Sequence, residues 1–514
     1  MKKIYYALFS LICLLAICSF EATAQRIIDV APGPPGTLNQ AIESDTTAEG
    51  ARVDSNTIYR LQRGDQALYL LSGSISNSGY HLTIVAEDGA GARPFLQPAT
   101  GDAGSARPFR PRGNFTLKGI HTTGVDDLGG FTTRMIRASA DDIRIDLDDC
   151  WFDGDGQSMI RVDNENMSIF IRNSVISNVG RPLSPDNGRD IDDRGNNIDT
   201  VVIENCTFYN LSSRIIRDGG GWIKYASFKN NTVVNIGQHG ITFGEVGYLD
   251  VKDNLFFNAG FMPDVNSPRF LISLDSIGAE LSDSMGITQQ VNISHNSFWM
   301  DTASVAMYLN DTIMTSPIFN PTAEAFIAEG GTAATMLGDM VEFADGPPFN
   351  DSIIYFDLTP EADQASAPDW EIPPIPGDGL YHRVVPYDFD YMGREAVTGS
   401  STGEQLGDPN WEATSVVSVG DLSHDAAGLS IYPLPVNDYA NISFSLNAAS
   451  DVEMAIYNIM GKKVSSLEYN RYPAGDHTIT WNGTSDSGSI IEPGMYILRM
   501  RAGNDVSSLK ILKR

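Results

Sequence analysis

The sequence predicts an all-β protein, built as a right-handed parallel β-helix followed by a small C-terminal β-sandwich. Three observations predict this fold class. A short motif, in which two apolar steps flank a polar pair, recurs through residues 115–300. From residue 429 onward the sequence changes to short alternating strands separated by turns. The recurring motif lacks the 3.6-residue period that helical repeats would show.

The first 24 residues have the order of a signal peptide. Lys2 and Lys3 precede an apolar run from Ile4 to Phe20, and Ala22-Thr-Ala24 supplies a small-residue cleavage pattern. No later stretch has the apolar length needed to span a bilayer. We therefore predict that residues 1–24 are removed and that the mature protein, without a transmembrane segment, is secreted or held at the cell surface.

The chain carries a large excess of acidic residues. It contains 65 Asp and Glu but only 35 Lys and Arg, which gives a net charge of −30. A nucleic-acid-binding surface needs a basic footprint, so nucleic acid is not expected as a partner. Any local cluster of arginines is conspicuous against this background.

The recurring motif has six clear copies. They begin at positions 147, 171, 203, 228, 251 and 293, and the copy at 203 reads Ile203-Glu-Asn-Cys-Thr-Phe208. These distances suit one turn of a three-stranded coil, with loops inserted where the distance is longer. The motif carries asparagines that we expect in left-handed backbone at the bends, where stacked side chains can also hydrogen-bond from turn to turn. They are Asn173, Asn205, Asn230, Asn231, Asn254 and Asn296.

Two cysteines remain after the signal peptide is removed. Cys150 and Cys206 occupy motif copies that are two turns apart. Two steps of about 4.8 Å exceed the limit of about 7 Å between the Cα atoms of a disulfide. We predict two buried free thiols, and neither lies in a basic or His-rich context that would favour catalysis.

The repeats resemble the pectate-lyase-like β-helix superfamily, as an uncharacterised secreted member. The resemblance implies a parallel β-helix over residues 25–300, with an N-terminal cap formed by the amphipathic segment Gly36-Thr-Leu-Asn-Gln-Ala-Ile42. Residues 301–428 contain an apolar helical stretch from Pro321 to Ala344, then Pro-rich sequence. We predict that they cover the C-terminal end of the solenoid and form a linker.

Residues 429–514 resemble the type A sorting domain of the type IX (Por) secretion system. The matching segments are Tyr432-Pro-Leu-Pro435, Trp481-Asn-Gly483, Pro493-Gly-Met-Tyr496 and the basic end Lys510-Ile-Leu-Lys-Arg514. Leu434 departs from the family, which usually has Asn there. The resemblance implies export through the periplasm of a Gram-negative bacterium, with the type IX machinery as a partner. The alternative is an accessory sandwich that binds carbohydrate.

The strand after each polar bend contains two predicted columns of residues that concentrate positive charge. We call them the first and second arginine columns. The first contains Arg134, Ser158, Arg189, Arg214, His239 and Arg269, and the second contains Arg137, Arg161, Asp192, Arg217 and Thr242. Strict alternation would point the first column inward at a prohibitive cost for unpaired arginine, so we place it on the turn before the strand.

Two interpretations of these columns remain open. Neighbouring aspartates, which are Asp190, Asp192, Asp193 and Asp218, make a structural salt-bridge ladder possible. Alternatively, the columns line a groove for an acidic, uronate-containing polysaccharide. Arg134, Arg137, Arg161 and Arg189 would then bind substrate through bidentate pairing with carboxylates or sulfates.

The groove interpretation predicts a polysaccharide lyase. Arg214 or Arg217, together with a calcium ion held by Asp190, Asp192, Asp193 and Asp218, would neutralise the uronate carboxylate. His239, whose unperturbed pKa lies near 6.5, would be the base.

Two other functions are weighed against the lyase. The segment Gly237-Gln-His-Gly-Ile-Thr-Phe-Gly244 resembles the Gly-His-Gly segment of polygalacturonases, which are hydrolases. Arg217-Asp218 stands where those enzymes have paired aspartates, so one carboxylate is missing. The third possibility is a non-catalytic carbohydrate-binding or cell-surface structural solenoid.

The seven histidines show no paired spacing for zinc.

Overall fold

A computed structural model describes most of the chain, in two compact units, Met1–Ser415 and Val416–Arg514. The described residues are 25–99, 107–180, 187–261, 269–301, 317–329, 336–338, 341–347, 387–415, 429–432, 436, 439–458, 462–492, 494–502 and 505–513. The predicted signal peptide lies outside them. No helix in these ranges is long and apolar enough to cross a membrane.

The first unit is a parallel β-solenoid of about eight turns, as predicted. Each turn contributes strands to a first and a second sheet, and six turns also contribute to a third. The first sheet contains Ile27–Val30, Ile58–Leu61, Leu82–Ala86, Phe115–Lys118, Arg144–Asp148, Met167–Arg172, Ile198–Glu204, Trp222–Lys229, Ile241–Lys252, Ile272–Asp275 and Gln290–Ser294. The second contains Leu68–Leu71, Phe95–Pro98, His121–Thr123, Trp151–Asp155, Val175–Val179, Thr207–Leu211, Thr232–Ile236, Leu255–Ala259, Asn296–Trp299 and Met336–Leu337. The third contains Ile75–Ser78, Phe109–Arg112, Arg134–Ala138, Ser158–Val162, Arg189–Asp192 and Arg214–Arg217.

The predicted repeat is the unit that stacks. The first residue of each motif copy opposes the first residue of the next, in the order Leu147, Ile171, Ile203, Phe228, Val251 and Ile293. All six side chains are buried in one continuous core. Burying each such side chain stabilises the fold by about 1.5–3 kcal/mol. A single apolar position per turn therefore fixes both the register and the core.

The asparagine prediction is confirmed for three of the six residues. Asn173, Asn205 and Asn230 have φ values of 50°, 56° and 52°, in the left-handed region that asparagine tolerates. Their side chains also bond from turn to turn, since Asn205 Nδ2 donates to Asn173 Oδ1 at 3.2 Å. A similar left-handed set at Asn178 and Asn210 was not predicted.

The left-handed prediction is wrong for the other three asparagines. Asn231, Asn254 and Asn296 are absent from the described positive-φ positions and are fully buried. They stack instead, because Asn231 Nδ2 donates to Asn254 Oδ1 at 3.1 Å and Asn254 Nδ2 donates to Asn296 Oδ1 at 2.9 Å. The amide chain satisfies the polar groups that their burial would otherwise leave unpaired.

Cys150 and Cys206 are buried free thiols, as predicted. The strands that follow them are two turns apart, since Trp151 opposes Val175 and Val175 opposes Thr207. Burial raises the pKa of Cys150 to about 12. Neither thiol therefore has the character of a nucleophile.

Helices cover both ends of the solenoid core. Thr37–Glu43 buries Leu38 and Ile42, as predicted for the N-terminal cap. At the other end Pro321–Glu329 buries Ala323 against the core, and this helix is shorter than the stretch predicted from Pro321 to Ala344. The remaining described elements of this unit are the helix Ala279–Met285 and a three-stranded sheet of Glu342–Asp345, Asp388–Gly393 and Ala413–Ser415.

The second unit is a small antiparallel β-sandwich, as predicted. One sheet contains Ser430–Tyr432, Ala440–Leu446 and Gly475–Trp481. The other contains Ser450–Asn458, Lys463–Tyr472, Gly494–Ala502 and Asp505–Lys513. Alternate residues such as Ile442, Phe444, Ile456 and Leu498 form its own core. Leu434 and Pro493 of the predicted sorting motifs lie outside the described residues.

Candidate functional site

The two predicted arginine columns lie along the third sheet. Arg134 opposes Ser158, Ser158 opposes Arg189, and Arg189 opposes Arg214 in the first column. The column continues to His239, because His239 N bonds to Ser213 O at 3.1 Å just as Arg214 N bonds to Gly188 O. The second column holds the predicted order Arg137, Arg161, Asp192 and Arg217.

Arg269, the last predicted member of the first column, is misplaced by one residue. Ile241 opposes Ile272 and Thr242 opposes Ser273, which places Phe270 beside His239. A slip of one position moves Arg269 out of the column. The sequence alignment failed here because residues 262–268 intervene between the two turns.

The first position of the third-sheet strands departs from strict alternation, so that Arg134 does not point into the apolar core. Strict alternation would put Arg134 on the same side as Ile136. Instead Met135 and Ile136 are both buried in the core, whereas Arg134 and Arg137 are half-buried. Ser158 and Arg189, at the same position as Arg134, are buried. The first column therefore lies at a corner of the solenoid.

Asp192 bridges two arginines from adjacent turns. It accepts Arg189 Nη1 at 2.8 Å and Arg217 Nη1 at 2.9 Å, one on each carboxylate oxygen. Arg189 is only 6% exposed. This arrangement matches the structural salt-bridge interpretation, and the burial of Arg189 favours a supporting role over the substrate contact predicted for it.

Positive charge exceeds negative charge at the other end of the columns. Asp163 pairs with both Arg137 and Arg161. No ion pair of Arg134 occurs among the described residues, and its Nη1 donates to the Thr133 hydroxyl at 3.1 Å. Burial, with the charges of Arg161 and Arg107, lowers the pKa of Arg134 to about 10. An anionic ligand placed here would relieve this repulsion.

Sequence reasoning missed Arg107 and Arg110. Ile136 opposes Phe109, so Arg110 extends the second column next to Arg137. Burial and then the Arg112 charge lower the pKa of Arg110. The basic run Arg107-Pro-Phe-Arg-Pro-Arg112 was the available signal. It was overlooked because the motif copy in that turn is degenerate.

A pair of carboxylates lies beside the other end of the columns. Asp193 and Asp218 follow Asp192 and Arg217, which oppose each other across adjacent turns. Burial, opposed by the Gly195 N–H and assisted by the Asp218 charge, raises the pKa of Asp193 to about 6. A Cβ on Gly244 would lie 2.4 Å from Asp218 Cγ, so only glycine permits this approach.

His239 has a defined hydrogen-bonding role. Its Nδ1 accepts the backbone N–H of Phe270 at 3.4 Å. A neutral ring with Nδ1 as acceptor carries its proton on Nε2 and can donate from there. On the neighbouring turn Arg214 Nε donates to the Ser213 hydroxyl at 3.1 Å.

The four aspartates predicted to hold calcium do not converge. Asp192 is paired with two arginines, and Asp193 accepts the Gly195 N–H at 3.2 Å. Asp190 is fully buried at the inward position beside Ile191, and Asp218 accepts the Gly220 N–H. Within the described ranges, no group of three or more His, Cys, Asp or Glu is arranged to hold a metal ion. Calcium has no role in the proposal that follows.

One family model matches part of the chain. Residues 436–505 match the FlgD Ig-like domain. This match lies within the C-terminal sandwich and agrees with its antiparallel strands. Neither a Por sorting-domain family nor a pectate lyase family matches, and no curated protein matches the chain.

Proposed function

We propose that the third-sheet face binds an acidic, uronate-containing polysaccharide and that the turns carrying Arg214 and Arg217 act on it. The observation that carries this proposal is that Arg110, Arg134, Arg137 and Arg161 lie close together, with the Asp163 carboxylate paired to the last two, in a chain of net charge −30. Arginine pairs bidentately with carboxylates and sulfates. Stacked turns repeat these groups about every 4.8 Å, as a polymer repeats its carboxylates.

The favoured reaction is elimination by a polysaccharide lyase. Arg214 and Arg217 neutralise the uronate carboxylate, which lowers the pKa of the neighbouring C–H. The base then takes this proton, the C–H electron pair forms a carbon–carbon double bond, and the leaving oxygen departs with the electrons of its broken bond and takes a proton from water. We assign the base to Asp193 rather than to His239, because the Phe270 N–H occupies His239 Nδ1. A carboxylate with a pKa of about 6 is ionised and still basic at neutral pH.

Hydrolysis is the second candidate, and one observation favours it. The carboxylate missing beside Asp218 in the sequence is supplied by Asp193 from the adjacent turn. Two neighbouring carboxylates, one with a raised pKa, are what acid–base hydrolysis of a glycosidic bond needs. A non-catalytic solenoid that only binds the polysaccharide is the third possibility.

Replacing Arg110 or Arg134 by Ala should weaken binding of polygalacturonate about 10- to 150-fold. Each change removes a charge-assisted hydrogen-bond donor, worth about 1.5–3 kcal/mol. Calorimetric titration at two salt concentrations measures the affinity, and its dependence on salt should fall as well. Arg144→Ala is the matched control, because Arg144 lies on the first sheet and pairs with Asp146. Unchanged affinity in both test variants would show that the arginine columns have a structural role and do not bind the polysaccharide.

The products formed from polygalacturonate distinguish the three functions. Unsaturated products that absorb in the ultraviolet, lost in Arg214→Ala and Asp193→Asn, support the lyase. New reducing ends without unsaturation support the hydrolase. Binding without either product supports the non-catalytic solenoid.

We further propose that residues 1–24 and 429–514 direct export through the type IX pathway. The support is the signal-like N-terminus, the motifs of the C-terminal domain and its separate fold. In a bacterium with type IX machinery, the full chain should reach the cell surface or medium, whereas a chain ending at residue 428 should stay in the periplasm. Immunoblots of cell fractions measure this. Equal release of both chains would contradict the proposal.

A further inference from the structure

A partly enclosed cavity of about 300 Å³ lies against the outer face of the second sheet, apart from the arginine columns. Its walls are mainly aromatic. Trp151 and Tyr209 come from the second sheet, and Tyr387, Phe389 and Trp411 come from the segment that crosses it. Cavities of this size and composition are typical of small-ligand sites.

The aromatic walls hold one another in place. The Tyr209 ring meets the Tyr387 ring edge-on at 5.6 Å and the Phe389 ring at 5.3 Å. Phe389 contacts Trp411 at 5.4 Å. Such aromatic pairs stabilise the packing beyond the burial of their area. The aromatic part of the cavity is therefore preformed in the absence of a ligand.

Polar groups stand between the aromatic rings. Asp408 is 3% exposed, and it accepts the Thr207 hydroxyl at 2.8 Å and Asn410 Nδ2 at 2.7 Å. Burial raises the pKa of Asp408 to about 6. Arg93 at the rim pairs with Asp149 at 2.5 Å, and Asp149 also pairs with Arg63 at 3.5 Å.

A buried polar chain lies behind Trp151. The indole Nε1 donates to Ser177 Oγ at 2.9 Å, and this hydroxyl donates to Asp153 Oδ1 at 2.6 Å. The second oxygen of Asp153 has no hydrogen-bond partner in the part of the chain that the structure describes, and the residue is 1% exposed. This chain fixes the orientation of the Trp151 ring in the cavity wall.

We propose that this cavity binds one neutral sugar ring, at a site separate from the third-sheet face. Flat aromatic rings fit the C–H face of a pyranose, while Asn410 Oδ1 and the remaining lone pairs of the Asp408 carboxylate can accept hydrogen bonds from hydroxyls. A phosphate or uronate is disfavoured, because the Arg93 guanidinium is already engaged by Asp149 and the buried Asp408 carboxylate would repel an anion. Neutral branch residues of a larger polysaccharide have this chemistry.

Saturation-transfer NMR of the full chain with galactose, xylose and rhamnose, each at tens of millimolar, tests the site. At least one sugar should receive saturation at its C–H protons. Tyr387→Ala removes one wall that makes no described hydrogen bond, and it should weaken that binding at least tenfold. Trp411→Leu should do the same. Tyr225→Ala is the matched control, because Tyr225 is exposed on the first sheet.

Each result decides the proposal. Loss of sugar binding in Tyr387→Ala, with the control and the thermal unfolding midpoint unchanged, supports it. Absence of transfer to all three sugars, or binding that survives both wall variants, overturns it. Arg110→Ala and Arg134→Ala should leave this sugar binding unchanged, so the outcome is independent of the proposed acidic-polysaccharide face.

Discussion

The free energy of unfolding of the solenoid should fall by several kcal/mol between about pH 4.5 and about pH 7.5. Asp153 and Asp155 are 1% and 0% exposed, and burial raises the pKa of each to about 7. In the unfolded chain each aspartate has a pKa near 3.9. The folded state therefore binds more protons than the unfolded state between these values.

The sign of the effect follows from that proton difference. A raised folded-state pKa contributes stability that is present below about pH 4 and is lost as the pH rises through about 7. A shift of about three units corresponds to about 4 kcal/mol for each carboxyl group. Carboxylates with lowered pKa values behave in the opposite way, and Asp163 beside its two arginines is one of them. Their contribution to the free energy of unfolding is lost as the pH falls below about 4. Maximum stability is thus expected in mildly acidic solution.

Denaturant titrations of the full chain at a series of pH values measure this dependence. Asp155→Asn should flatten it, because the amide does not titrate. Asp29→Asn is a control, since Asp29 lies on the first-sheet surface beside Arg60. A stability that is constant or rises over the same interval would contradict the expected behaviour.

Replacing Asp190 by Leu should raise the free energy of unfolding by about 2–4 kcal/mol at about pH 7.5. The register places Asp190 between Met159 and Ile215 of the adjacent turns, in an otherwise apolar column. Neither of its carboxylate oxygens has a hydrogen-bond partner among the described residues, and burial raises its pKa well above the ordinary value. Removing an unsatisfied buried polar group relieves a cost of this size.

Chemical denaturation of Asp190→Leu and Asp190→Asn measures the gain. The Leu variant should gain more than the Asn variant, because the amide still needs partners. The gain should also be larger at about pH 7.5 than at about pH 4.5, where the unfolded chain no longer favours the charged form as strongly. A loss of stability in Asp190→Leu would show that the carboxyl group is required for folding.

The repeat made most of the solenoid predictable from the sequence. One buried apolar residue per turn, such as Ile171 and Ile203, fixes the register, so the columns through Arg134 and Arg214 followed from alignment. The alignment failed at Arg269 because a long insertion hides a one-residue slip. Repetition therefore gives neighbours between turns as long as the motif stays regular.

The partners of the predicted site residues were not predictable. Asp163 stands two residues beyond Arg161, and nothing in the spacing shows that it also reaches Arg137 in the preceding turn. The aromatic cavity joins Trp151, which belongs to a motif copy, to Trp411, which is far away in the sequence and outside the repeat. Contacts made by irregular segments depend on tertiary packing that periodicity does not encode.

The stacking of turns gives the arginine face a length that can change in whole steps. A turn such as the one from Arg189 to Arg214 begins and ends at the same place in the cross-section. Duplicating or deleting one such segment would leave the core and the remaining registers intact. It would add or remove one binding position for a polymeric ligand. Because the affinities of linked contacts multiply, each added turn would raise the avidity by a constant factor.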